Sequence, residues 1–136
     1  MRTIAQRRAA DALARVNELS NRPDEFKQSY RAYVDRLGPT IVMNGLGQAL
    51  ATERAAAGGG PTGSEKQAHH ELYVSLGRWL CSDDTIYPAD SDLLQAIVAN
   101  DEASYMRAQA ETLAWLGWHK KFCHAAFPRG EGGGSQ

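Results

Sequence analysis

The chain is poor in the residues that usually carry covalent chemistry or covalent stabilisation. Its 136 residues contain two cysteines, Cys81 and Cys123, too few for a disulfide framework. No apolar run approaches the ~20 residues that cross a bilayer, and no apolar signal region opens the chain. A soluble protein in a reducing, cytoplasmic setting is expected. Period-two alternation of apolar and polar residues is also missing, which argues against a sheet-based fold.

What remains is helical. Thr3 to about Ser20 reads as a first helix with a Thr3–Gln6 capping box and Ile4, Ala9, Ala12, Leu13, Val16 and Leu19 on one side. Its other faces carry Arg2, Arg7, Arg8 and Arg15, interrupted by Asp11 and Glu18. Pro23 opens a second helix to about Leu37, with Phe26, Tyr30, Tyr33 and Leu37 as its buried stripe and Lys27, Arg31 and Asp35 on a different face. Gly38 reads as a stop and Pro39 as the start of a third helix to about residue 56. Gly-rich residues 58–63 form a loop. Ser64 with Gln67 offers a second capping box for a helix through about Cys81, with Leu72, Leu76 and Trp79 inward. A polar connector leads to a short helix at Leu93–Ala99, and Asp101 caps a last helix to about Ala126, long enough to cross the domain. The expected fold is all-α: a compact bundle of five to six helices with a long C-terminal helix. Residues 1–127 form one domain with a flexible loop at about 57–64, and residues 128–136 a disordered tail.

No enzyme signature emerges. Gly45 and Gly47 form a Gly-x-Gly, but no strand precedes it, and it lacks the third glycine of a dinucleotide loop and the Gly-Lys-Ser/Thr ending of a P-loop. Each glycine costs roughly 1 kcal/mol within a helix, so they read as seats for a neighbouring helix, the first or the last. Asn44 and Gln48 flank them, one turn apart, to hydrogen-bond across that close contact. His119 and Cys123 stand one turn apart as a conceivable metal or nucleophile pair, yet nothing supplies a third or fourth ligand. His69, His70 and His124 show no ligand spacing. Asp83, Asp84, Asp90 and Asp92 lack calcium-loop spacing and read as caps and a solvated connector. No Arg is followed four to six residues later by His, the signature of a class of helical ribonucleases. No cofactor and no metal are expected.

Charge distribution is the better lead. The formal net charge is only -1, but residues 1–54 hold nine Lys/Arg against six Asp/Glu and residues 105–129 hold four against one, whereas residues 65–104 hold two against eight. Arg7, Arg8 and Arg15 on the first helix, Lys27 and Arg31 on the second, and Arg107, Lys120 and Lys121 on the last are candidates for a phosphate-binding surface if those helices are neighbours. Ordinary solubilising charge on helix exteriors is the competing reading. Trp115 and Trp118 are either core or, with Lys121 at successive steps of three, a surface that stacks on a partner.

Two stretches, "YRAYVDRLGPTIVMNGLGQALA" (30–51) and "SYMRAQAETLAWLGWHKKF" (104–122), together with "QRRAADALARV" (6–16), resemble the small helical subunit of the type III-B CRISPR effector, the Cmr or RAMP-module complex. Its most specific part is the run Asn44, Gly45, Leu46, Gly47, Gln48. The resemblance implies a non-catalytic, all-α subunit of an RNA-guided complex in antiviral defence. Its partners would be other Cmr subunits, further copies of itself stacked head to tail, and the guide RNA–target RNA duplex, with no membrane. The acidic middle and basic ends of the chain suit a head-to-tail contact between two different patches. A helical protein–protein adaptor without nucleic-acid contact is the alternative. A small hydrolase is a third class, which requires a pocket holding His119 or Cys123.

Overall fold

The computed structural model describes residues 1–82 and 85–130, so Asp83, Asp84 and the tail beyond Gly130 lie outside the described residues. Six helices follow in order: α1 Ile4–Leu19, α2 Asp24–Asn44, α3 Leu46–Ala57, α4 Ser64–Leu80, α5 Leu93–Ala99 and α6 Glu102–Ala126. No strand occurs among the described residues. The expected α5 and the long C-terminal α6 are both present. α1 begins with the expected capping box: Thr3 Oγ1 accepts from the Gln6 amide and Gln6 Oε1 from the Thr3 amide. The Asp92 and Asp101 side chains cap α5 and α6, accepting from the Gln95 and Ser104 amides.

Four local expectations are corrected. α2 does not end at Gly38; it runs through Pro39 to Asn44, so the expected third helix begins only at Leu46. Proline costs about 3 kcal/mol inside a helix because it removes a donor and crowds the preceding turn. Here Pro39 is exposed, so water can serve the freed carbonyl, and Thr40 Oγ1 donates to the Arg36 carbonyl in the same turn at 2.9 Å. Continuing the helix keeps Ile41, fully buried, on the stripe of Phe26, Tyr30, Val34 and Leu37, and such burial contributes about 1.5–3 kcal/mol. Val34, not Tyr33, belongs to that stripe. α4 forms no capping box: Gly63 precedes it, no side chain caps it, and Gln67 instead accepts from Arg22 at 2.8 Å. On α1, Ile4 and Leu13 are about two-fifths exposed rather than inward, whereas Arg15 is buried. The polar partners of Arg8, Asp11 and Arg15 rotate α1 so that those residues face its neighbours.

α1 lies parallel to α6, in a register marked by Arg8 to Glu111, Asp11 to Trp115 and Ala12 to His119. α2 runs antiparallel to α6, from Asp35 beside His124 to Leu46, just beyond its end, beside Gln109. Leu46, Leu50, Leu72, Leu76, Leu80, Leu93 and Trp115 fill the space between them.

The two glycines sit at the α2–α3 junction rather than inside a helix. Gly45 has φ +88° and ends α2, its amide donating to the Ile41 carbonyl at 2.7 Å. Such a φ disfavours any side chain, and a Cβ here would meet the Tyr105 hydroxyl at 3.2 Å. The first amides of α3 find acceptors on α6: Leu46 donates to Gln109 Oε1 and Gly47 to the Tyr105 hydroxyl, both at 2.9 Å. The last helix is therefore the neighbour the glycines seat. Asn44 and Gln48 are exposed and do not bridge the contact; Gln109 and Tyr105 do so instead. Gly45→Leu should lower stability by roughly 1–3 kcal/mol through strained φ and overpacking. Denaturant unfolding checks this, and an unchanged midpoint would return Gly45 to a surface role.

Candidate nucleic-acid interface

The polar residues divide into an internal set that joins helices and an external set open to a partner. At the centre, His119 is fully buried, with Nδ1 2.9 Å from the Ala12 carbonyl and Nε2 2.7 Å from the Tyr30 hydroxyl. A carbonyl only accepts, so Nδ1 carries the proton and Nε2 accepts from Tyr30. Trp115 stacks on the imidazole at a centroid distance of 4.1 Å. Tyr30 also meets Ser75 Oγ at 3.2 Å, which accepts from Arg15 Nε at 2.6 Å. The Arg15 guanidinium completes its partners with Glu71 and Glu18. One hydrogen-bonded cluster thus ties α1, α2, α4 and α6.

Burial holds the imidazole neutral, pushing its pKa down to about 4, against the pull of the Ala12 hydrogen bond. Burial likewise pushes the Cys123 thiol up to about 12, so it stays protonated at neutral pH. The two candidates of an enzymatic reading are both packed in the core, and neither lines a surface cavity. No group of three or more His, Cys, Asp or Glu is placed to hold a metal among the described residues.

The eight candidate cations separate sharply. Arg15 is 8 % exposed. Arg8 grips Glu111 with two hydrogen bonds, from Nε at 2.5 Å and Nη2 at 2.8 Å, and Trp79 Nε1 donates to the same carboxylate at 2.9 Å. Burial alone would raise the pKa of Glu111, but these donors outweigh it and hold the carboxyl below its usual range. Arg31 donates to the Phe127 carbonyl at 3.0 Å, pinning the segment after α6 onto α2. Lys27 donates to the Ser20 carbonyl at 3.2 Å and pairs with Asp24. Arg7 is half-buried. Arg107, Lys120 and Lys121 are exposed, all three on α6. The α1 and α2 cations drawn into internal pairs therefore do not converge with them on one open face. Sequence spacing could not show this, because the acidic partners lie far along the chain.

Sequence reasoning left the two tryptophans open, and the structure separates them. Trp115 is core, its Nε1 donating to Asp11 at 2.9 Å, whereas Trp118 is 43 % exposed and stacks on Phe122. The connector acids Asp90 and Asp92 are exposed; Asp92 caps α5 and accepts from the Tyr73 hydroxyl, and Asp83 and Asp84 lie outside the described residues. No described helix is long and apolar enough to cross a membrane.

The model of one protein family, described as CRISPR-associated protein (Cas_Cmr5), matches residues 4–126. A comparison with curated proteins found no match.

The neutral buried imidazole has a thermodynamic consequence. An unfolded histidine binds a proton near pH 6.5, whereas folded His119 resists until about pH 4. Its contribution is complete above pH 6.5 and declines as the pH falls towards 4, by roughly 3 kcal/mol. Unfolding free energies of wild type and His119→Gln at pH 7 and pH 4.5 check this. The variant should be less stable at pH 7 but lose less on acidification, and equal losses would contradict the assignment.

Proposed function

The chain belongs to the Cas_Cmr5 family of CRISPR-associated proteins, and from that premise we propose that it is a non-catalytic structural subunit of the type III-B, RNA-targeting Cmr complex. It works in the cytoplasm in antiviral defence. Copies stack head to tail, bound to other Cmr subunits, and help hold target RNA along the guide–target duplex. The observation that carries this reading is the division of the cations. Of the five candidate cations on α1 and α2, Arg8, Arg15 and Arg31 are spent on contacts between segments of the chain, while Arg107, Lys120 and Lys121 project from the longest helix.

A rigid body with basic side chains along one edge contributes by neutralising phosphates, with an affinity that falls as salt rises. His119 and Cys123, hydrogen-bonded or packed in the interior, are closed to a substrate, in keeping with a role in which other subunits cut. The stacking contact draws on charge. Residues 79–106 hold six acidic residues and no Lys or Arg, whereas residues 112–130 hold Lys120, Lys121 and Arg129 and no acid. Opposite patches on one rigid chain favour a heterologous, open array.

Affinity purification with mass spectrometry and RNA sequencing should recover the other Cmr subunits and short guide RNAs with this chain. In the assembled complex, Lys120→Glu with Lys121→Glu should weaken target-RNA binding by about tenfold at moderate salt, since two phosphate contacts are lost and replaced by repulsion. The isolated variant should melt as the wild type does, because both lysines are exposed. Unchanged RNA affinity would favour an adaptor without nucleic-acid contact.

A further inference from the structure

Trp118 stands apart from the other large aromatic side chains of the bundle. Of the three tryptophans, Trp115 is fully buried and Trp79 is 6 % exposed, whereas Trp118 is 43 % exposed. An indole left in water forgoes a large burial gain, yet this one is held in place. Its ring stacks on Phe122 with centroids 5.9 Å apart and planes 23° from parallel, so Phe122 covers one face and restricts the ring's rotation. Towards the N-terminal end of α6, over which helical side chains lean, the neighbours are small: Gly117 adjoins it and Ala114 precedes it by a turn. A Cβ on Gly117 would meet nothing within 4 Å.

The electrostatic surroundings are cationic. Lys121 follows Trp118 by three residues and Lys120 by two, both exposed. Arg107 lies on nearly the same stripe as Lys121, fourteen residues away, or roughly 21 Å along the axis at 1.5 Å per residue. Among residues 103–130 the sole acid is Glu111, and its carboxylate is taken by Arg8 and Trp79. Asp35, reaching across from α2, faces His124 at 2.7 Å. A fixed, half-open aromatic face between exposed cations, with the exposed carboxylate of its own helix, Glu102, sixteen residues away at the opposite end of α6, matches the chemistry of a base resting on a ring while its flanking phosphates meet cations.

We propose that the outward face of Trp118 is a stacking platform for an unpaired RNA base, with Lys121 and Arg107 taking phosphates on either side. This rests on the RNA-holding reading above and adds to it a base-level contact: the ligand is a single-stranded nucleotide segment, recognised through its π-face and so without base preference. Phe122 is a positioning residue that backs the ring.

The assembled Cmr complex carrying Trp118→Ala, Trp118→Phe or Lys120→Glu/Lys121→Glu tests the platform by target-RNA affinity at fixed salt. Target RNA bearing a photoreactive base maps the adduct by peptide mass spectrometry. Trp118→Ala should bind about five- to tenfold more weakly, as expected for loss of one base–aromatic stack. Trp118→Phe should restore most of the affinity, the salt dependence should be nearly unchanged in both, and the wild-type adduct should fall on Trp118. Wild-type affinity in Trp118→Ala, with binding weakened only by the lysine reversals, would overturn the platform and leave the RNA-holding reading intact. Loss of neighbouring subunits from the Trp118→Ala complex, with RNA affinity per intact complex unchanged, would make the ring a protein-docking anchor and also overturn it. If neither substitution changes RNA binding, the platform and the RNA-holding reading fall together.

Discussion

The bundle depends on one buried polar junction: Ala12 and Arg15 of α1, Tyr30 of α2, Ser75 of α4 and His119 of α6 in a continuous hydrogen-bonded path. Apolar packing is non-directional and would tolerate helices that slide or rotate by a residue. Hydrogen bonds inside a low-dielectric core do not, because an unpaired group there costs about 1–3 kcal/mol. Each of the four long helices contributes a group that only the observed register satisfies. The cluster therefore selects one arrangement among several that would bury similar apolar area, and it does so with a neutral imidazole, which needs no counter-charge.

The same logic sorts the cations. Arg8 with Glu111, Arg15 with Glu71 and Arg31 with the Phe127 carbonyl each join segments distant in sequence. A guanidinium suits that task, since its planar fork can satisfy a carboxylate with two parallel bonds. The exposed lysines at the far end of α6 carry no such commitment. The three arginines of the α1 and α2 candidates that lie in these joints hold the body in shape, and the candidates on α6 are among the cations the body presents. Trp115 and Trp118, three residues apart on one helix, show the same division for aromatic side chains, one inside against His119 and one outside beside Phe122.

The helices themselves were legible where local chemistry decides. The Thr3–Gln6 box, the Asp92 and Asp101 caps and the Gly-rich break before α4 act within a few residues of chain, and all were visible in it. The boundary between α2 and α3 was not. Gly38–Pro39 carries a stronger stop signal than Gly45, but burial of Ile41 and the solvated face of Pro39 override it. Ser64 and Gln67 failed as a cap because Arg22, forty-five residues earlier, takes the Gln67 side chain.

By itself the sequence determined an all-helical chain, the long final helix, glycines that seat against a neighbouring helix, and the stretches that place it in its family. These follow from spacing and from residues that touch near neighbours along the chain. Only the tertiary structure decided which cations face inward, that His119 and Cys123 are core, and that Trp118 is open while Trp115 is closed. Each of those outcomes turns on a partner tens of residues away, such as Glu111 for Arg8 or Ser75 for Arg15. Helical periodicity gives a face but cannot say which side of that face meets another helix.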